Sequence, residues 1–231
     1  MNTRPVRESS RGFTLLELLI VIAIIAILSV ILIIVINPAE TLRKSRDAQR
    51  ISDLNTMKTA LGIYLTSTST PYLAGTDNTA CKTGGSGGTY ASGDKIYYSL
   101  STGSTITDAT LDGGSGSVPA SSQVVLANVP LTDGTGWLPV NFDSLTSGSP
   151  VSNLPIDPVN TVTTLSAVAS TDFVYRYACN ATNLTYEIDT VLESSEYTSG
   201  SSNKHSTDGG NNSAYYEVGT NLKILGAGVD F

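Results

Sequence analysis

The sequence predicts an α+β fold: one long N-terminal helix, apolar in its first half and amphipathic in its second, packed on a small antiparallel β-sheet. Three observations carry this reading. Residues 18–36 run LLIVIAIIAILSVILIIVI, interrupted only by Ser29. Residues 40–65 repeat apolar side chains mostly at spacings of three and four. Beyond them, short runs rich in Val, Ile, Tyr and Thr alternate with Gly, Pro and Asn. Of 21 glycines 19 follow residue 65, as do 7 of 9 prolines, so the front of the chain is free to be helical and the back turns often.

The apolar run comes first. Counted from Phe13 to Ile36 it spans about 36 Å as a helix, enough to cross a hydrocarbon core of ~30 Å. It lacks the polar face that a soluble core helix presents. A cleaved secretory signal fits less well, because the run is too long and no small-x-small site follows it. Basic residues flank both ends, Arg4, Arg7 and Arg11 before it and Arg43, Lys44, Arg46 and Arg50 after it, so charge alone does not orient the span. Glu17 sits inside the mouth of this run, where a carboxylate is costly. About 6 Å of helix rise from Phe13, it still reaches the headgroup region.

At residues 37–40, Asn-Pro-Ala-Glu reads as a helix restart, with Asn37 as cap, Pro38 in the first turn and Glu40 reaching back. A proline kink in one continuous helix is the alternative. Either way the helix is weakened between Ile34 and Pro38. The following segment places Leu42, Ile51, Leu54, Met57, Leu61, Tyr64 and Leu65 on one stripe, with Arg43, Lys44, Asp47, Arg50, Asp53 and Lys58 pointing largely elsewhere. That stripe fits a helix laid on a globular domain better than a coiled coil, for which it is too short.

Residues 66–94 read as loop. Strands are predicted at 95–100, 123–129, 173–178 and 184–192, with two more at 215–218 and 221–225. The strongest hairpin joins 173–178 to 184–192 through residues 179–183, with Tyr186, Ile188 and Thr190 alternating with Glu187, Asp189 and Val191. One face of this sheet is expected on the helix stripe. The domain boundaries that follow are 13–36, 37–66 and 67–231, with residues 1–12 preceding the apolar helix.

From residue 51 onward the chain has 6 basic and 16 acidic residues, which disfavours a nucleic-acid surface there. Cys81 and Cys179 form no CxxC and have no histidine pair nearby, so metal and thioredoxin-like chemistry lack support. If the distal domain lies outside the cytoplasm they form a disulfide; in the cytosol they would be two buried thiols. The lone histidine, His205, sits in SSNKHSTDGGNN and reads as an exposed loop residue. HExxH and GxxxxGK are both missing from the sequence, and no enzymatic activity is expected. Three glycosylation triplets begin at Asn180, Asn183 and Asn211, at the frequency chance allows in so Asn-, Ser- and Thr-rich a chain.

Arg11-Gly12-Phe13-Thr14-Leu15-Leu16-Glu17, with the apolar helix behind it, resembles the cleavage and methylation signature of type IV pilins and type II secretion pseudopilins. The resemblance is strong over residues 8–65. Weaker likeness follows in LPIDP at 154–158 and FVYRYACNATNLTYEID at 173–189, which resemble the proline loop and strands of G-type pseudopilins, with a glycine-rich insertion around 84–116. It implies a pilin-like fold and a cytoplasmic leader cut by a prepilin peptidase between Gly12 and Phe13, with Phe13 then N-methylated. It also implies a single-pass membrane protein whose domain beyond residue 37 is extracytoplasmic, consistent with a Cys81–Cys179 disulfide. Implied partners are the inner-membrane assembly machinery and copies of the chain itself in a pilus or secretion filament. Glu17 is then expected to pair with the Phe13 amine of a neighbouring subunit, since an unpaired carboxylate inside a filament is expensive.

Some G-type pseudopilins hold calcium in a distal loop, and STDGGNN at 206–212 and TDGTG at 132–136 offer oxygen ligands. Neither has EF-hand spacing and Asp-Gly is first a turn signal, so turns are the favoured reading and no cofactor is required. Two other functions stay open from sequence: a minor, tip-located binding subunit, and an anchored surface protein that never polymerises.

Overall fold

A computed structural model of the chain describes residues 12–83, 90, 93–100, 126–165 and 168–225. The chain divides into two units, Met1–Leu42 and Arg43–Phe231. In the first, Thr14 is extended and α1 runs from Leu15 to Ile36. None of its residues is buried. Ser29, the one polar side chain within the apolar run, donates its hydroxyl to the Ile25 carbonyl at 2.7 Å, so it needs no partner from outside. Asn37 then takes a left-handed conformation, φ 44° and ψ 76°, which asparagine tolerates better than most residues. Its side-chain oxygen accepts the Glu40 amide at 3.4 Å, and Pro38 opens α2, Pro38–Ser67. The junction is therefore a capped restart rather than a proline kink in one helix.

In the second unit α2 buries Asp47, Arg50, Leu54, Met57, Ala60, Leu61 and Tyr64. Asp47 and Arg50, predicted to point largely away, lie on the buried stripe, because the three-and-four spacing that aligns Leu54, Met57, Leu61 and Tyr64 extends back through them. Leu42 is exposed, and Leu65 is partly buried against the core.

A four-stranded antiparallel sheet lies against this stripe, with β1 Tyr97–Tyr98, β2 Arg176–Asn180, β3 Thr185–Thr190 and β4 Tyr216–Gly219 in spatial order 1-2-3-4. Tyr177 opposes Ile188 and Cys179 opposes Tyr186, and these four side chains face the helix. Trp137, Leu138, Val140, Phe142 and Leu154 complete that core. Each large side chain withdrawn from water here contributes ~1.5–3 kcal/mol. Tyr186 donates its hydroxyl to the Lys58 carbonyl at 3.0 Å, fastening β3 to α2 directly.

The opposite face is covered too. Tyr98 and Ala178 pack with Tyr90, Ile96, Leu100, Val174, Ile224 and Leu225. Alongside them Arg176, Glu187, Asp189 and Glu217 are buried on the sheet. Alternation in β3 thus separates two buried faces, one apolar and one polar, rather than core from solvent.

Several predicted elements shift. The hairpin turn falls at residues 181–184, with Leu184 at φ 50°, so Cys179 and Asn180 belong to β2. Residues 221–225 are no strand; Ile224 and Leu225 donate their amides to Glu187 Oε2 at 2.6 and 2.8 Å, which removes them from ladder pairing. Of the predicted strand at 123–129, residues 123–125 lie outside the described residues and the remainder forms a turn. The glycine-rich insertion at 84–116 also lies largely outside them, as do residues 1–11.

His205 is buried rather than exposed. The polar composition of the segment around it is therefore a poor guide to its burial. Loss of water pushes its pKa down, opposed by Asp208, Asp47 and a hydrogen bond to the Ser213 backbone.

Cys81 and Cys179 form a disulfide, both buried in the core. It pins the loop after α2 to β2, where the Lys82 amide donates to the Cys179 carbonyl at 2.8 Å and the Ala181 amide to the Lys82 carbonyl at 2.9 Å. Because β3 occupies the other side of β2, this contact covers the edge stretch that short β1 leaves open.

Candidate processing and assembly site

The site begins with extended backbone. Gly12, Phe13 and Thr14 precede α1, and Phe13 is 86 % exposed. A Cβ placed on Gly12 would meet nothing within 4 Å among the described residues. Its own surroundings therefore give no steric reason for glycine, and the lack of a side chain leaves the Gly12–Phe13 peptide open to close approach from outside.

Thr14 caps α1, and Glu17 completes the cap. The Glu17 amide donates to Thr14 Oγ1 at 3.2 Å. In return Glu17 Oε2 accepts the Thr14 amide at 2.9 Å and the Thr14 hydroxyl at 3.0 Å. This reciprocal arrangement satisfies donors that helix geometry orphans, and it places a carboxylate at the positive end of the helix dipole. The Thr-x-x-Glu spacing announces such a box in the sequence. Read only as an oddity in an apolar run, Glu17 conceals a local role that its spacing to Thr14 reveals.

All of the cap's bonds to Glu17 use Oε2; among the described residues Oε1 has no hydrogen-bond partner. The carboxylate is thus fixed by one oxygen and open at the other. Behind it the uncovered α1 side chains form an apolar rod about 33 Å long at ~1.5 Å per residue. That is a surface for lipid or for other apolar helices.

The two glycine-rich stretches of the distal unit use their carboxylates differently. Asp133 Oδ1 accepts the amide and hydroxyl of Thr135 at 2.9 and 2.6 Å. Asp208 accepts the Gly210 amide at 3.0 Å on Oδ1 and the Glu217 amide at 2.9 Å on Oδ2. Gly134 and Gly209 hold φ near +90°, the region that favours glycine. Both stretches are turns closed by their own aspartates. Asn180 is buried at the end of β2, its side-chain oxygen accepting the Thr182 and Asn183 amides, so its triplet is engaged within the turn.

Residues 7–33 match the family described as the prokaryotic N-terminal methylation motif, the prepilin-type signature of type IV pilins and pseudopilins. The match covers Gly12, Phe13, Thr14, Glu17 and most of α1. No curated protein and no solved structure shows a significant match to the chain.

Proposed function

We propose that this chain is a structural subunit of a type IV filament, a pilus or the pseudopilus of a secretion system. The observation that supports this best is an apolar helix with no buried side chain, beginning directly after a prepilin-type processing signature. Residues 1–12 are the cytoplasmic leader, 13–36 the membrane anchor and then the filament core, 37–66 the supporting helix, and 67–231 the outward domain. A prepilin peptidase cuts between Gly12 and Phe13 and methylates the new Phe13 amine. The inner-membrane machinery then moves the helix from lipid into contact with copies of itself, where close apolar packing replaces lipid contacts.

Cleavage leaves the Thr14 amide intact, so the Thr14–Glu17 cap survives processing. Glu17 Oε1 then accepts the Phe13 ammonium of the neighbouring subunit. Inside a filament this pairing relieves the cost of a buried carboxylate in one register only. Glu17 acts twice, as a cap within its own chain and as a register contact between chains.

The first test is the mass of the mature protein. It is expected to begin at Phe13 and carry one N-methyl group; a chain isolated from its native membrane with residues 1–12 retained would overturn the assignment. The second separates the two roles of Glu17. Glu17→Gln keeps a side chain that can complete the cap but loses the charge, whereas Glu17→Ala loses both and weakens the helix start. Both variants are expected to be processed and to yield no filaments by electron microscopy. Wild-type filament numbers from Glu17→Gln would show that the cap, and not the charge, is what assembly needs.

A further inference from the structure

The polar face of the sheet carries two carboxyl groups that the assembly function does not use. Glu187 on β3 and Glu217 on β4 lie on the same face, since Glu187 opposes Gly219 and Asp189 opposes Glu217 in register. Both glutamates are buried, Glu187 completely, and among the described residues neither belongs to an ion pair. Their side chains are within hydrogen-bond reach of each other. Among the described residues no other donor reaches Glu187 Oε1. Two carboxyl groups in hydrogen-bond contact in a dry site are compatible only if one of them carries a proton.

Each glutamate also holds a loop. Glu187 Oε2 accepts the amides of Ile224 and Leu225. Glu217 Oε2 accepts the Asn212 amide at 3.0 Å. Asn211, with its amide turned to donate, reaches Glu217 Oε1 at 3.3 Å and the Leu222 carbonyl at 2.9 Å, so the two loops meet at this pair. The cover is tight: a Cβ on Gly210 would come within 1.8 Å of Glu217 Oε2. Tyr90 donates its hydroxyl to the Ile224 carbonyl at 3.0 Å from the far side.

We propose that Glu187 and Glu217 share one proton and form a pH-sensitive latch, which fastens the 208–214 and 221–225 loops over the sheet and releases them when the proton leaves. The surroundings decide its direction. Arg176 from β2 is engaged bidentately by Asp189 and lies 3.7 Å from the centre of the Tyr215 ring. Lys82 interacts electrostatically with both Glu187 and Asp94, while Asp189 and Asp208 disfavour further negative charge on the pair. His205 interacts with Asp208, and burial pushes its pKa down. Tyr90 is itself kept protonated by burial.

Loss of water, with the neighbouring carboxyl second, raises Glu187 well above the usual carboxylate range, and burial lifts Glu217 to about 7. Unfolded glutamates release their protons near 4.3. The closed form therefore binds more protons than the open one. Its stability is fully present below about pH 4.3, where the open form is protonated too, and falls as pH rises from there through the closed form's raised values, about 7 for Glu217, the opposite of an ordinary salt-bridged carboxylate.

Amide hydrogen exchange read by mass spectrometry on the full chain in detergent tests this, from pH 6 to 9 and corrected for intrinsic base catalysis. Peptides containing Asn212, Ile224 and Leu225 are expected to lose protection by up to about tenfold per pH unit, the limit for one proton, while α2 peptides keep theirs. Glu187→Gln places a permanent donor against Glu217 and is expected to hold protection at pH 9. A flat profile in the natural chain, or the same loss in Glu187→Gln, would overturn the proposal. Should Glu187→Gln fail to fold, Glu217→Gln supplies the donor from the other side with the same expected result. Difference infrared spectra of the natural chain give an independent readout, a protonated-carboxyl band at pH 6 that vanishes on raising pH; its absence at pH 6 overturns the latch.

Discussion

Replacing Arg50 with methionine is expected to destabilise the distal unit by about 3–5 kcal/mol, the range measured when one member of a buried charge network is removed. Arg50 is fully buried on α2. Its Nε and one terminal nitrogen hold Asp157 in a fork, at 2.6 and 3.0 Å, and the other terminal nitrogen donates to Asp47 at 2.9 Å and to Glu193. The guanidinium also lies 4.8 Å from the centre of the Phe173 ring. Asp47 in turn accepts the amides of Glu193 and Ser194. One side chain thus ties the base of the helix to the LPIDP loop and to the segment leaving β3. Methionine fills much of the space but leaves Asp47, Asp157 and Glu193 crowded together without their shared cation, Arg46 remaining on Glu193.

Trp137 is the sole tryptophan and is buried in the same unit, so denaturant unfolding followed by its fluorescence reports this loss. Arg50→Lys keeps a charge but not the fork, and is expected to fall between the two. A cost for Arg50→Met below about 1 kcal/mol would mean that the carboxylates find other partners or take up protons.

This network marks where sequence reading stops. Periodicity placed Leu54, Met57, Leu61 and Tyr64 on a buried stripe, and the same arithmetic includes Asp47 and Arg50 once identity is ignored. Charge argued them out, because the carboxylates that justify a buried arginine lie 107 and 143 residues further along the chain. Residues 221–225 failed for a related reason. Their composition suits a strand, yet the Ile224 and Leu225 amides are taken by a glutamate on β3, a long-range contact that no local preference encodes. His205 is buried although its sequence neighbours are polar, because local composition does not report which distant residues pack around it.

What could be read was either local or gross. A long run of apolar residues needs no partner to declare itself, and the Gly-Phe-Thr-Leu-Leu-Glu order carries its own chemistry. The Thr14–Glu17 cap belongs with these local features: the two residues are three apart, and their spacing alone specifies the contact. The assembly role proposed for Glu17 is long-range again, since the partner it calls for is another molecule.

Reducing the Cys81–Cys179 disulfide is expected to cost about 4–5 kcal/mol, because the bridge closes 98 residues of chain and the entropy it removes from the unfolded state grows with loop size. Chemical reduction is the cleaner perturbation, as it leaves both sulfur atoms filling the core. A Cys81→Ala, Cys179→Ala chain adds a cavity and is expected to lose a further ~1 kcal/mol or more. The origin of the effect is separable from its size. If the bridge acts on the unfolded state, reduction lets that state expand and expose more surface, so the denaturant slope must rise as the midpoint falls. If the bridge acts instead by holding the residue 81–83 segment against the edge of β2, the midpoint falls with the slope unchanged, and exchange of the Lys82 and Ala181 amides accelerates in the folded protein. Trp137 fluorescence gives the midpoint and slope in one titration. A midpoint shift worth less than about 1 kcal/mol at constant slope would remove the chain-entropy account altogether.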